Sequence, residues 1–130
     1  MTTPSQTVGP FFAAGLPPVP GTGPVVLSGR VLDGAGDGVP DAVVEAWQPD
    51  PPAFARAQTE RSGRWALRVH PAEYVNLSVF ARGLLNRVVT RVYRPGTAGV
   101  DASLVAIQTP DGYALDIHLQ GPDETVFFAL

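Results

Sequence analysis

Glycine and proline, fourteen of each in a chain of 130 residues, constrain this sequence more than any other feature. Proline breaks helix interiors, and glycine there costs about 1 kcal/mol relative to alanine. Both recur at short intervals, so no window is left for a helix of three turns. Short strands joined by tight turns tolerate such punctuation. The residues between agree. Strand-like runs fill positions 25–33, 42–48, 64–69, 74–82, 86–94, 103–109, 113–120 and 125–130. A Gly-Ala-Gly-Asp-Gly turn occupies 34–38, and 49–61 reads as a loop. Trp65, Leu67 and Val69 share one face of their run. Val75, Leu77 and Val79 do the same, as do Val88, Thr90 and Val92, and Leu115, Ile117 and Leu119. One apolar face per strand predicts two antiparallel sheets packed face to face, an all-β sandwich.

Residues 1–24 are too rich in proline and glycine to pack as an element and read as an extended N-terminal arm, leaving residues 25–130 as the sandwich domain. The arm carries Phe11 and Phe12. Apolar aromatics on such a segment dock either on this domain's own sheet or on another chain. The length suits one domain. There is no cysteine, which excludes a thiol nucleophile and a Cys-based zinc site. The net charge is −3, which argues against a general nucleic-acid role, and all nine basic residues are arginine. No apolar run reaches the roughly 18 residues of a membrane span. The first residues lack the basic start and apolar stretch of a leader, so the expectation is a soluble cytoplasmic protein.

Chemistry-bearing residues are sparse. His70 and His118 are the only histidines. Asp116-x-His118 is the nearest approach to a ligand pair, and both residues fall on the polar side of a strand. His70 ends a strand beside Pro71 and reads as a loop residue. A mononuclear site needs three or four converging ligands, and no such set stands out. No G-x-S-x-G elbow and no phosphate cradle is present. Glu45, with Asp41 and Asp50 near its strand ends, reads as solvated charge or a structural ion pair rather than an acid–base pair. The arginines say more. Arg82, Arg87, Arg91 and Arg94 fall within two successive strands. Tyr74, Asn76, Ser78, Phe80 and Arg82 form the polar-side set of one strand, and Arg87, Val89, Arg91 and Tyr93 share a face of the next. Arginine binds carboxylates through a planar fork of donors. These strands therefore carry either an anion or acidic-partner surface or an ordinary exposed face. Phe80 and Tyr93 are its candidate exposed aromatics.

Three segments resemble the intradiol ring-cleavage dioxygenases. Thr3-Pro-Ser-Gln-Thr-Val-Gly-Pro-Phe11 is similar to the family's T-P-S-Q-T-x-G-P-[FY] opening. Leu27-Ser-Gly-Arg-Val-Leu-Asp33 with Gly38-Val-Pro-Asp-Ala-Val-Val-Glu-Ala-Trp-Gln48 is similar to its G-x-V-x-D…G-x-P…E-x-W-Q segment. Asn76-Leu-Ser-Val-Phe-Ala-Arg-Gly83 and the C-terminal stretch from Glu124 resemble alpha-type chains of its protocatechuate-cleaving members. The middle segment alone is shared with prealbumin-like modules, so a non-enzymatic binding or scaffold domain is the main alternative. The resemblance implies a prealbumin-like β-sandwich and ring cleavage of protocatechuate to 3-carboxy-cis,cis-muconate by non-haem Fe(III) and dioxygen. It also implies that iron is held by two Tyr and two His of a partner beta chain. The family's H-x-H positions are Tyr74 and Asn76 here. No Tyr follows Trp47-Gln48 at the first Tyr-ligand position, and Val69-His-Pro-Ala-Glu73 replaces the second. That implies a non-catalytic alpha-type subunit, binding no cofactor itself and working with a beta subunit in a hetero-oligomer of αβ units. By the same resemblance Thr7, Gly9, Pro10, Phe11 and Arg82 line the substrate pocket. The arm and the loops after Trp47 and His70 are shorter than in the family. A stand-alone dioxygenase would have to use other ligands, such as Tyr74, Tyr93, His70 and His118.

Overall fold

The computed structural model describes residues 17–81, 83–84 and 86–128. Among them run nine strands: β1 Val25–Leu32, β2 Val43–Pro49, β3 Pro52–Gln58, β4 Arg64–Val69, β5 Tyr74–Phe80, β6 Val88–Tyr93, β7 Ile107–Thr109, β8 Gly112–Ala114 and β9 Ile117–His118. A single 3-10 turn, Ala102–Leu104, lies between β6 and β7. One sheet has the order β4-β1-β8-β7, with β9 also paired to β1. The other has the order β3-β2-β5-β6. Their inner faces form one core. Leu27, Val31, Trp65, Leu67 and Ile117 from the first sheet meet Val44, Ala46, Leu77, Val79 and Val92 from the second. The period-2 pattern places each of these inward, because successive side chains of a strand point to opposite faces. The all-β sandwich expected from the alternation is the observed architecture.

Two details position the sheets. Residues 112–118 run parallel to β1 in one continuous register, from Val26↔Gly112 to Leu32↔His118. The run expected over 113–120 splits because the Asp116 carboxylate accepts the Arg30 N–H at 3.0 Å in place of a backbone carbonyl. Gly29 makes the approach possible, since a Cβ there would overlap the Leu115 carbonyl oxygen. These parallel pairs depart from the all-antiparallel expectation. Across the sandwich, the buried Gln48 side chain of β2 exchanges two hydrogen bonds with the backbone of His70, which follows β4. Nε2 donates at 2.8 Å, and Oε1 accepts at 3.0 Å. The two sheets are thereby tied at one end by an amide that would cost about 1–3 kcal/mol if left unpaired.

Other expectations are corrected. The stretch 49–61 is not a loop: β3 forms a tight hairpin with β2, Pro49 opposite Pro52, and only Asp50 and Pro51 at the turn. Proline is tolerated because β3 is an edge strand. Within 103–109 only Ile107–Thr109 is strand; Ser103 and Leu104 belong to the 3-10 turn, and Val105 makes an isolated parallel bridge with Tyr93. The described part of 125–130 joins β6 through an isolated bridge, Val89↔Phe128, rather than a full strand. Residues 17–23 lie against both sheets. Val19 exchanges backbone hydrogen bonds with Arg56 of β3, and the Pro20 carbonyl accepts from Arg68 N of β4.

Candidate functional site

The outer face of the β3-β2-β5-β6 sheet carries the candidate site. Strand phase sends Glu45 and Trp47 of β2 outward, because Val44, Ala46 and Gln48 point to the core. Pairing then builds rows across the face. Phe54 stands opposite Trp47, and Trp47 opposite Asn76. Asn76 is opposite Arg91, and Tyr74 is opposite Tyr93. Trp47 is 47% exposed, Phe54 42% and Phe128 40%. Phe80 and Tyr93, the aromatics expected to be exposed, are half-buried instead. Sequence reasoning passed over Trp47 and Phe54, although the alternation with Glu45 was a signal for Trp47.

Arg91 rests on the aromatic residues of this face. Its guanidinium lies 4.3 Å from the Tyr74 ring centroid and 5.7 Å from that of Phe128. Its Nε donates to Asn76 Oδ1 at 3.4 Å. The Tyr74 and Tyr93 rings are tilted against one another with centroids 5.9 Å apart. Trp47, Asn76, Ser78 and Arg91, with Arg87, Val89 and Phe128, line a groove of about 420 Å³. Among the described residues neither Arg87 nor Arg91 has a carboxylate partner. Arg56 of the same face does, pairing with Glu45 at 2.7 Å and stacking over Phe54. Glu45 is thus part of a structural ion pair. Arg94 lies apart, beside Glu73.

The positions that the resemblance assigns to an H-x-H pair are therefore filled by Tyr74, Asn76 and a fixed guanidinium. A cation rests on both residues, and Asn76 offers a neutral amide oxygen already engaged by it. This donor set does not fit a ferric ion. Tyr74 and Tyr93 do touch, but His118 belongs to β9 on the other sheet, and His70 Nε2 lies 3.2 Å from Thr22 Oγ1. The four residues of a stand-alone site are not brought together. Among the described residues no three His, Asp or Glu side chains converge to hold a metal ion. Thr7, Gly9, Pro10, Phe11 and Arg82 lie outside the described residues.

A second hollow, of about 630 Å³, lies on the other sheet between Ser103, Ile107, Asp116, His118 and Glu124. It is acidic, and Asp116 within it is already bonded to Arg30, their side chains 3.5 Å apart. At its rim the Ser103 hydroxyl, and then the Ser103 N–H, donate to Asp101 and hold its carboxyl below the usual range. No helix among the described residues is long and apolar enough to cross a membrane.

Solved structures share this fold. The dioxygenase domain of a dioxygenase carbohydrate-binding protein fusion from Streptomyces sp. SirexAA-E superposes with a TM-score of 0.59 at 18% identity, over 81% of this chain and 82% of that one. Catechol 1,2-dioxygenase from Pseudomonas arvilla C-1 gives a TM-score of 0.57 at 18% identity, over 84% of this chain and 56% of that one. The chain thus spans little more than half of that enzyme. The architecture is that of the intradiol dioxygenases. Sequence comparison narrows the class. The protocatechuate 3,4-dioxygenase alpha chain of Burkholderia cepacia is 33% identical over an alignment of 191 positions covering 97% of this chain and 96% of that one. The alpha chain of Pseudomonas putida is 31% identical, over 97% and 95%. This chain belongs to the family of protocatechuate 3,4-dioxygenase alpha chains. The alignment of 191 positions is longer than this chain of 130 residues. The β2–β3 turn has two residues, and the link from β4 to β5 is residues 70–73. No family model matches the chain.

Proposed function

We propose that this chain is the non-catalytic alpha subunit of an intradiol dioxygenase that cleaves protocatechuate between its two hydroxyl-bearing carbons. Both atoms of dioxygen enter the product, 3-carboxy-cis,cis-muconate. The observation that carries this reading is the likeness to two such alpha chains over 97% of the sequence. The guanidinium seated on Tyr74 and Asn76 supports it, because it leaves this sheet unsuited to the metal. The partner is the beta subunit of the same enzyme, assembled with this chain into αβ units in the cytoplasm. Fe(III) belongs to that partner and supplies the activation of the catechol toward dioxygen. This chain's part is to wall the pocket and orient the substrate. Residues 1–24 form the arm, whose Thr7, Gly9, Pro10 and Phe11 reach the partner's pocket, while residues 25–130 form the sandwich. Arg82 offers a planar fork of donors to the substrate carboxylate.

Co-expression with a beta-type chain tests this. The two chains are expected to elute together on size exclusion, with iron in stoichiometric amount and protocatechuate cleaved. Arg82→Ala is expected to raise KM about tenfold with a smaller change in kcat, the mark of a binding rather than a transition-state contact. A folded chain that elutes alone beside its beta-type partner would end the subunit reading in favour of a prealbumin-like binding module.

A further inference from the structure

We infer that the groove on the β2-β5-β6 face is itself a binding site for a monocyclic aromatic carboxylate, separate from any pocket the arm enters. The inference rests on this chain's own residues and does not depend on the partner. The first argument is shape. Trp47 on β2 and Phe128 beyond β6 stand on either side of β5 and β6. They are thus three strand spacings apart, roughly 14 Å at about 4.8 Å per strand. The hollow between them has a volume of about 420 Å³, in the range of small-ligand sites.

The second argument is charge. In a chain of net charge −3, Arg30 and Arg56 pair with carboxylates. Arg87 and Arg91 line the groove and, among the described residues, pair with none. Arg91 is also pre-positioned. Two aromatic rings and Asn76 Oδ1 fix the guanidinium, so little side-chain freedom remains to be lost on binding. Asn76 Oδ1 is engaged, which leaves its Nδ2 as a donor. Aromatic walls with guanidinium and amide donors suit a ring bearing a carboxylate. They discriminate against a neutral ring and against a bare anion.

The experiment is calorimetric titration of the full chain with benzoate, and with phenol and acetate as probes lacking one feature each. Saturable binding of benzoate is expected, with phenol and acetate at least about tenfold weaker, the scale of one charge-assisted contact. Arg91→Gln is expected to weaken benzoate about tenfold. Arg87→Gln, at an exposed position, is expected to give a second and smaller loss. Quenching of Trp47 fluorescence locates the ligand, because the other tryptophan, Trp65, is buried, and Trp47→Phe keeps the heat while losing the signal. Equal affinity for benzoate and phenol, no saturable heat, or two arginine variants that bind as the parent does would each overturn the site. So would tighter benzoate binding after removal of residues 1–16, because the groove would then belong to the arm.

Discussion

The two outer faces of the sandwich are built from the same alternation and end up chemically opposite. On β1 and β4 the outward residues are Ser28, Arg30, Arg64, Ala66 and Arg68, with Arg30 neutralised by Asp116. Around β1 and β4 this is a solvated face of short or charged side chains, with the exposed Ile107 of β7 farther along the sheet. On β2, β3, β5 and β6 the outward set includes Trp47, Phe54, Tyr74, Asn76, Arg91 and Tyr93 beside the Glu45–Arg56 pair, with Phe128 along the edge. Exposed large aromatics are expensive to leave in water, and a contiguous patch of them marks a binding surface. The inner faces tell the two sheets apart far less, since both are simply apolar. What separates a structural sheet from a functional one here is the face that folding does not need.

Breaking the shared core produces the largest effect. Leu77 is fully buried at the centre of the second sheet's inner face. Leu77→Ala is expected to cost about 3 kcal/mol, from lost burial and the cavity left behind. Urea unfolding of the full chain measures it, with Trp65 fluorescence reporting the first sheet. The two sheets share one core, so a single transition is expected. Two separate transitions would show that the faces differ because the sheets are independent units.

Removing Arg56 probes the aromatic-faced sheet's only ion pair among the described residues. The Arg56 and Glu45 side chains are 20% and 12% exposed, so the pair is neither a loose surface bridge nor a fully buried one. Arg56→Ala strands the Glu45 carboxylate and is expected to cost about 2 kcal/mol, between the exposed and buried limits. The matching change on the solvated sheet, Arg30→Ala, loses a pair whose side chains are 48% and 40% exposed and is expected to cost less than about 0.5 kcal/mol. Equal losses would mean that the faces differ in appearance only. Gln48→Ala falls between the two, at about 1.5 kcal/mol, because it unties the sheets at His70 and leaves backbone groups there unpaired.

These contrasts also show what was legible in the sequence. Period-2 runs gave the inward residues, down to Thr90 and Val92 on β6, because burial depends on strand phase alone. The Tyr74–Asn76 set and the Arg87–Arg91 set were each placed on a face for the same reason. That the two sets meet, Asn76 against Arg91, depends on the register across the 81–87 connection, which no local pattern encodes. β3 was hidden by its prolines and alanines, which read as loop although an edge strand accepts them. The split of 113–120 turns on one carboxylate replacing a carbonyl in a ladder, a choice made by tertiary pairing with Arg30. The proposed pocket residues on the arm and Arg82 rest on likeness to the family, because their side-chain types are common and only their order carries information.

The smallest stability effect makes the sharpest distinction between the faces. Trp47→Ser and Arg64→Ser each alter one exposed outward residue, one per sheet, and each is expected to shift unfolding by less than about 0.5 kcal/mol. Their effect on benzoate affinity is expected to diverge. Trp47→Ser removes a wall of the groove and should weaken binding about tenfold, while Arg64→Ser should leave it unchanged. Arg64 is the more telling of the two, because its loss makes the whole chain more negative. If the anion were drawn by the overall field rather than held in the groove, Arg64→Ser would weaken it as much as a groove variant does, and the loss would fade as salt is added. A loss confined to Trp47, Arg87 and Arg91 and little changed by salt is the behaviour of a formed site. That outcome would assign recognition to one face of the sandwich and leave the other as scaffold.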